Sequence, residues 1–119
     1  MGKHCGAEGS WKSKYIPDEF KVPGSGASAK FYRACDKHDD CYDTLGNSKD
    51  DCDNHFHANL RKECEIAYTG LNKAFLPACY TAAFTYYEAV HLSPDSKEAY
   101  KKAQDAARSR SGKIVEAKH

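Results

Sequence analysis

In this chain of 119 residues, the side chains of residues 35–43 have the types and the spacing best suited to catalysis or metal binding. In this stretch Cys35 and Cys41 bracket His38 and Asp39 within less than two helical turns. An imidazole takes up protons near neutral pH, and a carboxylate binds hard cations. Because consecutive helical residues point about 100° apart, a helix here would turn His38 inward and Asp39 toward the preceding loop. The pair predicts a base and a metal ligand at adjoining positions.

Zinc binding is a competing interpretation of the same residues. The spacing Cys35-x-x-His38-x-x-Cys41 converges poorly on one helical face, and cysteines oxidised to disulfides do not bind metal. Zinc therefore stays the less favoured alternative. An EF-hand is excluded because no Asp-x-Asx-x-Asx-Gly string surrounds these aspartates.

A further carboxylate, Asp53, follows His38 by fifteen positions. A disulfide between Cys41 and Cys52 would hold two helices face to face and bring Asp53 near the imidazole of His38. The aspartates at positions 50–51 compete for this role, but they fall in the first turn of the predicted second helix, where the helix dipole explains acidic residues. We therefore predict that Asp53 is the aspartate of the second helix that lies beside the imidazole.

Four stretches of the chain repeat apolar residues every three or four positions, which is typical of amphipathic helices. These helices must position the groups named above. They are residues 31–45, 52–67, 75–90 and 94–107. Ser28, Ser48 and Ser93 are the expected N-terminal caps of the first, second and fourth helices, and the chain after Ser109 is expected to fray. Residues 1–30, rich in glycine and proline, are predicted to be loop, and no stretch alternates long enough for a substantial sheet.

The composition favours one small exported domain. The chain has 18 Lys and Arg against 17 Asp and Glu, a net charge of +1 that gives no electrostatic reason to expect a nucleic-acid partner. Its mean hydropathy of −0.80 indicates a modest core, for which the six cysteines would compensate as disulfides formed in an oxidising compartment. No apolar run approaches the roughly 20 residues of a transmembrane segment.

The pattern Cys-x-x-His-Asp-x-Cys at residues 35–41 resembles the active-site helix of the secreted phospholipase A2 superfamily. Tyr42 follows the pattern as it does in the family. The sequence Cys-Tyr-Asp-Thr-x-Gly at residues 41–46 is similar to the group XII and bacterial-type branches, and Cys52-Asp53 matches the Cys-Asp pair of the family's second helix.

The resemblance extends upstream to residues 4–9, His-Cys-Gly-Ala-Glu-Gly, which look like the family's calcium loop. That loop usually has the pattern Cys-Gly-x-Gly-Gly, and Glu8 stands here in place of a glycine. The similarity covers residues 4–80, and the chain after Leu92 has no counterpart in it.

The resemblance implies ester hydrolysis by an activated water. His38 would be the base, and Asp53 would bind its other ring nitrogen and stabilise the imidazolium. Tyr42, one turn from His38, would donate a hydrogen bond to Asp53. The amide of Gly6 would stabilise the developing oxyanion, since glycine has no Cβ to obstruct the substrate.

The resemblance also implies a bound Ca²⁺ that polarises the ester carbonyl and neutralises the phosphate. Its expected ligands are the carboxylate of Asp39 and the backbone carbonyls of His4, Gly6 and Glu8. With one formal charge among these ligands, we expect a weak site.

The expected fold is all-α: a single disulfide-stapled phospholipase A2-like domain with two antiparallel active-site helices and an N-terminal calcium-binding loop. Residues 1–30 would form the calcium loop and connector, residues 31–92 the helical core, and residues 93–119 a polar helix and tail. Six cysteines allow about 15 pairings. The pairings expected here are Cys5–Cys35, Cys41–Cys52 and Cys64–Cys79.

The expected function is calcium-dependent hydrolysis of the sn-2 acyl ester of glycerophospholipids, which releases a fatty acid and a lysophospholipid. The expected protein is secreted and contacts a phospholipid membrane surface peripherally; the sequence specifies no protein partner. The alternative is a non-catalytic phospholipase A2-like binding module, such as a toxin subunit or a matrix protein, because folds outlive their chemistry. The intact His38, Asp39 and Asp53 favour the enzyme, whereas Glu8 in the calcium loop favours the module.

Overall fold

The computed structural model describes Cys5 and residues 11–117, the side chains of Ser13 and of residues 113–117 excepted. Helices dominate it, as the periodicity predicts. The regular elements in chain order are a 3₁₀ helix Trp11–Lys14, strands β1 (Phe20–Lys21) and β2 (Ser28–Ala29), helices α1 (Phe31–Asp43) and α2 (Lys49–Ala67), a 3₁₀ helix Gly70–Phe75, and helices α3 (Leu76–Leu92) and α4 (Pro94–Ala117).

Helices α1 and α2 form the centre of the fold, joined by a short turn at residues 44–48. The predicted cap of α2 is confirmed, because Ser48 Oγ accepts a hydrogen bond from the Asp51 amide at 3.0 Å. α3 packs on α2, and the buried core lies between them and α1. Its largest apolar side chains are Phe31, Phe56, Leu60, Tyr68 and Val90.

The three disulfides are Cys5–Cys35, Cys41–Cys52 and Cys64–Cys79, which confirms the predicted pairings. The first ties the N-terminal segment to α1, the second joins α1 to α2, and the third joins α2 to α3. Each closes a loop of the unfolded chain and would contribute on the order of 2 to 4 kcal/mol to stability. A core of this size gains much of its rigidity from such links.

Two predicted boundaries are wrong. Ser28 does not cap α1: it pairs with Lys21 in the two-residue antiparallel ladder of β1 and β2, and the helix begins at Phe31 after Lys30. The fourth helix also extends further than predicted, since α4 continues as a helix past Ser109 to Ala117. The predicted cap at Ser93 is confirmed, because its hydroxyl accepts from the Ser96 amide at 3.0 Å.

α4 is fastened to the end of α1 by one buried glutamine. The side-chain amide of Gln104 donates to the carbonyls of Tyr42 and Thr44 at 2.8 and 2.9 Å, and its oxygen accepts from the Gly46 amide at 3.0 Å. These bonds satisfy carbonyls that a helix end leaves without intrahelical partners. Gly46 adopts a φ of +92°, which a residue with a Cβ rarely tolerates.

Candidate active site

The imidazole of His38 on α1 and the carboxylate of Asp53 on α2 meet between the two helices. His38 Nε2 lies 2.6 Å from Asp53 Oδ1, and both side chains are fully buried. The Cys41–Cys52 disulfide links the two helices about one turn along α1 from His38 and next to Asp53 on α2. The ring of Phe56 stacks on the imidazole with centroids 4.5 Å apart. The structure thus brings together the two residues that the sequence predicts as base and orienting group.

Four hydrogen-bond donors surround the carboxylate of Asp53. His38 and the hydroxyl of Tyr42 both reach Oδ1 at 2.6 Å, as predicted for Tyr42. Lys49 Nζ and His91 Nδ1 both lie 2.7 Å from Oδ2. Burial alone would raise the pKa of Asp53, but these four hydrogen bonds outweigh burial and hold the pKa well below its ordinary value. Asp53 is therefore ionised at neutral pH and accepts from all four groups.

An ionised Asp53 fixes the tautomer of His38. Because the carboxylate only accepts, the proton of the neutral imidazole must reside on Nε2, which leaves a lone pair on Nδ1. Nδ1 is buried, and among the described residues it has no hydrogen-bond partner. A buried ring nitrogen with a free lone pair is the atom that a general base needs.

The tyrosine beside the dyad stays protonated. Burial raises the pKa of Tyr42, and its hydrogen bond to the Asp53 carboxylate raises it further. Its ring packs against the imidazole with centroids 4.2 Å apart and edge-on against Tyr100 of α4 at 5.3 Å. Tyr42 therefore acts as a fixed donor to the carboxylate.

We expect the imidazole of His38 to titrate well below the ordinary range of histidine. Burial disfavours the charged ring and lowers the pKa of His38 from 6.5 to about 4, although Asp53 opposes the shift, and the nearby ammonium of Lys12 adds to it. The predicted base would act in its neutral form, so lowering the pH from 7 should leave it competent until the pH nears 4. Nuclear magnetic resonance of the ¹⁵N-histidine-labelled, metal-free protein measures this midpoint. A midpoint at or above 6.5 in the folded protein would contradict the burial described here.

Asp39, the predicted metal ligand, lies one residue along α1 and is partly exposed. Lys12 Nζ, itself buried, contacts Asp39 Oδ1 at 2.5 Å and the carbonyl of Cys35 at 3.1 Å. The Asp39 carboxylate lines a cavity of about 210 Å³ between α1, α4 and the first 3₁₀ helix. Its other lining residues are Trp11, Tyr42, Asp43, Ala99 and Ala103.

Of the predicted calcium ligands, Asp39 is the one that the structure describes. His4, Gly6 and Glu8 lie outside the described residues, and so does the predicted oxyanion amide of Gly6. The described part of the chain holds no group of three or more His, Cys, Asp or Glu side chains suited to a metal. A site built from one carboxylate and backbone carbonyls does not need such a group. The carboxylate of Asp39 already binds the ammonium of Lys12. Carboxylate oxygens are also the ligands that Ca²⁺ takes, so Asp39 is chemically suited to the predicted site.

Three residues of the site were missed by sequence reasoning. Lys49 precedes Asp53 by four positions on α2, and that spacing places both side chains on one helical face. The spacing was a usable signal. Lys12, on the first 3₁₀ helix, and His91, at the end of α3, carry no local pattern that points to the site. Only the packing of distant segments brings them there.

Comparison with known proteins finds two curated relatives. The human group XIIA secretory phospholipase A2 is 37% identical over 62 residues, which covers 50% of this chain and 33% of the relative. The mouse group XIIA secretory phospholipase A2 is 40% identical over 63 residues, covering 50% of this chain and 32% of the relative. No protein-family model matches the chain, and no solved structure does.

The helical, disulfide-stapled fold is that expected of a phospholipase A2-like domain. The two relatives support a relationship to the secretory phospholipases A2, and both belong to group XII. The chain spans about a third of the length of these relatives. Similarity to the bacterial-type branch stays a prediction. Among the described helices, none is both long and apolar enough to cross a membrane.

Proposed function

We propose that the protein is a secreted, calcium-dependent phospholipase A2 that hydrolyses the sn-2 acyl ester of glycerophospholipids. The observation that carries the proposal is the state of the His38 imidazole: Asp53 accepts from Nε2, which leaves the buried Nδ1 free to accept a proton. The similarity to group XIIA secretory phospholipases A2 supplies the substrate class. The three disulfides support an oxidising, extracellular location.

In the proposed mechanism, Nδ1 of His38 takes a proton from a water that attacks the ester carbonyl. The imidazolium that forms is stabilised by the ionised Asp53 at 2.6 Å, and Tyr42 keeps the carboxylate in place from the same oxygen. Nδ1 then returns the proton to the departing alkoxide of the lysophospholipid. The amide of Gly6 is the proposed donor to the oxyanion.

Calcium would be held by Asp39 together with the carbonyls of His4, Gly6 and Glu8. When bound, it would supply positive charge to the ester carbonyl and the phosphate. Lys12 would have to release Asp39 for this. The side chain of Trp11 lines the cavity beside Asp39, so we propose that this side of the molecule meets the membrane surface.

Hydrolysis of phospholipid vesicles, measured with and without the chelator EGTA, tests the proposal. Fatty acid release that requires added calcium is the expected result. Undiminished hydrolysis in excess EGTA would remove calcium from the mechanism, and no hydrolysis under either condition would reject the enzymatic function.

One observation favours the alternative of a binding module without turnover. The ammonium of Lys12 occupies the carboxylate that calcium would need. If this contact persists at high calcium concentration, calcium would not bind, although the pair of His38 and Asp53 is intact. Vesicle binding without fatty acid release would then be the outcome.

We expect Lys12→Met to tighten calcium binding by about tenfold, equivalent to roughly 1.4 kcal/mol of removed competition. The reason is that the substitution removes the cation held by Asp39 while keeping an apolar stem of similar length. Isothermal titration calorimetry measures the affinity. Lys14→Met is the matched control, because Lys14 lies on the same 3₁₀ helix with an exposed side chain paired to Asp95. Equal affinities in both variants and the unmodified protein would show that Lys12 does not compete.

A further inference from the structure

The oxygen of Asp53 that faces away from His38 carries two donors of its own. Lys49 Nζ and His91 Nδ1 each lie 2.7 Å from Oδ2. Since Asp53 is ionised and only accepts, His91 must carry its proton on Nδ1. Each oxygen of this fully buried carboxylate thus receives two hydrogen bonds, and the second pair comes from residues outside the dyad and its tyrosine.

Lys49 and His91 also hold each other. Lys49 Nζ donates a second hydrogen bond, at 3.1 Å, to the backbone carbonyl of His91 in the last turn of α3. Lys49 stands in the first turn of α2, so the ammonium joins the start of α2 to the end of α3 across Asp53. Both side chains are mostly shielded, with 16% of Lys49 and 28% of His91 exposed. Charge-assisted bonds in such surroundings are short and directional.

The ring of His91 is oriented by a stack of aromatic rings. Tyr87, one turn earlier on α3, lies nearly parallel to His91 with centroids 5.3 Å apart and an angle of 14°. His57 of α2 stacks on Tyr87 at 4.8 Å and 17°. The orientation of the His91 ring, and with it the direction of Nδ1, is therefore set by packing between α2 and α3.

We propose that His91 and Lys49 are positioning residues of the dyad. They fix the carboxylate of Asp53 against rotation, so that Oδ1 stays aimed at Nε2 of His38. The inference rests on the proposed function only for its kinetic consequence. A carboxylate held at one oxygen alone is free to turn about its side chain, whereas donors at both oxygens leave one orientation.

The test compares His91→Leu with His91→Asn, because the amide nitrogen of asparagine takes nearly the place of Nδ1. His55→Leu is the matched control, since it makes the equal change at an exposed histidine of α2 that is not among the four donors to Asp53. Vesicle hydrolysis with calcium present gives kcat and KM. The proton on Nε2 of His38, observed by nuclear magnetic resonance in the ¹⁵N-histidine-labelled protein, reports its hydrogen bond to Asp53.

We expect His91→Leu to lower kcat about tenfold with KM unchanged, as the loss of one hydrogen bond to a charged group implies, and to move the Nε2 proton upfield. His91→Asn should restore both quantities, and His55→Leu should leave both near those of the unmodified protein. The inference is wrong if His91→Leu and His55→Leu behave alike in both measurements.

Two further measurements separate a failure of the positioning role from a failure of folding or of the proposed function. If His91→Leu does not fold, Lys49→Met makes the same test at the other donor, with the exposed Lys62→Met of α2 as its control. If the unmodified protein hydrolyses no phospholipid, the proposed function fails, while the resonance of the Nε2 proton still decides whether His91 positions the dyad.

Discussion

His38→Gln is expected to lower the rate of phospholipid hydrolysis by about 10²- to 10⁴-fold, the usual contribution of a general base, while the protein stays folded. The amide nitrogen of glutamine reaches nearly the position of Nε2 and keeps the hydrogen bond to Asp53, which lies 2.6 Å from the imidazole. Glutamine has no basic nitrogen in the place of Nδ1. Vesicle hydrolysis measures the rate, and circular dichroism checks the fold.

The matched control is His55→Gln, an equal change at an exposed histidine on α2. It should hydrolyse at the rate of the unmodified protein. Near-normal turnover of His38→Gln would mean that the imidazole is not the base. An equal loss in both variants would point to a general effect of the substitution rather than to the dyad.

Asp53→Asn is expected to reduce both stability and turnover. The carboxylate accepts four hydrogen bonds, two at each oxygen, whereas an amide offers one oxygen and one donating nitrogen. In either orientation, two of the four donors would face an NH₂ group inside the protein, which costs about 2 to 4 kcal/mol of unfolding free energy. An asparagine would also no longer keep the proton of His38 on Nε2, so turnover should fall by about 10³-fold or more.

Urea unfolding at pH 7 measures the stability of Asp53→Asn, and Asp51→Asn is the control. Asp51 is exposed in the first turn of α2, where its charge interacts with the helix dipole, so its loss should cost no more than about 1 kcal/mol. If Asp53→Asn loses no more stability than Asp51→Asn, the four hydrogen bonds are not energetically significant.

The placement of His38 opposite Asp53 was predictable because its signals are local once Cys41 and Cys52 are assumed to pair. A cysteine, a histidine and a second cysteine at three-residue spacing place His38 on the inner face of α1. The Cys41–Cys52 disulfide then fixes the position of His38 along α1 relative to Asp53 on α2. The role of Tyr42 came from the resemblance to the secreted phospholipases A2 and agrees with its position one turn along the same helix. Helical periodicity and one assumed disulfide therefore place His38 beside Asp53, whereas the resemblance supplied the role of Tyr42.

The remainder depends on contacts between segments far apart in sequence. Lys12 reaches Asp39 across 27 residues, and His91 reaches Asp53 across 38. No helical or alternating period relates such residues. The start of α1 was mispredicted for a similar reason: pairing with β1 holds Ser28 in an extended conformation, which overrides its tendency to cap a helix.

The most direct test of the account uses a glycerophospholipid with different acyl chains at sn-1 and sn-2, incubated with the protein and calcium in ¹⁸O-labelled water. Mass spectrometry of the products identifies the ester cleaved and the source of the new oxygen. We expect release of the sn-2 fatty acid alone, with ¹⁸O in its carboxylate, and about 10²-fold or greater loss of this product in His38→Gln. Release of the sn-1 acid, or equal product from His38→Gln and the unmodified protein, would contradict the proposed mechanism.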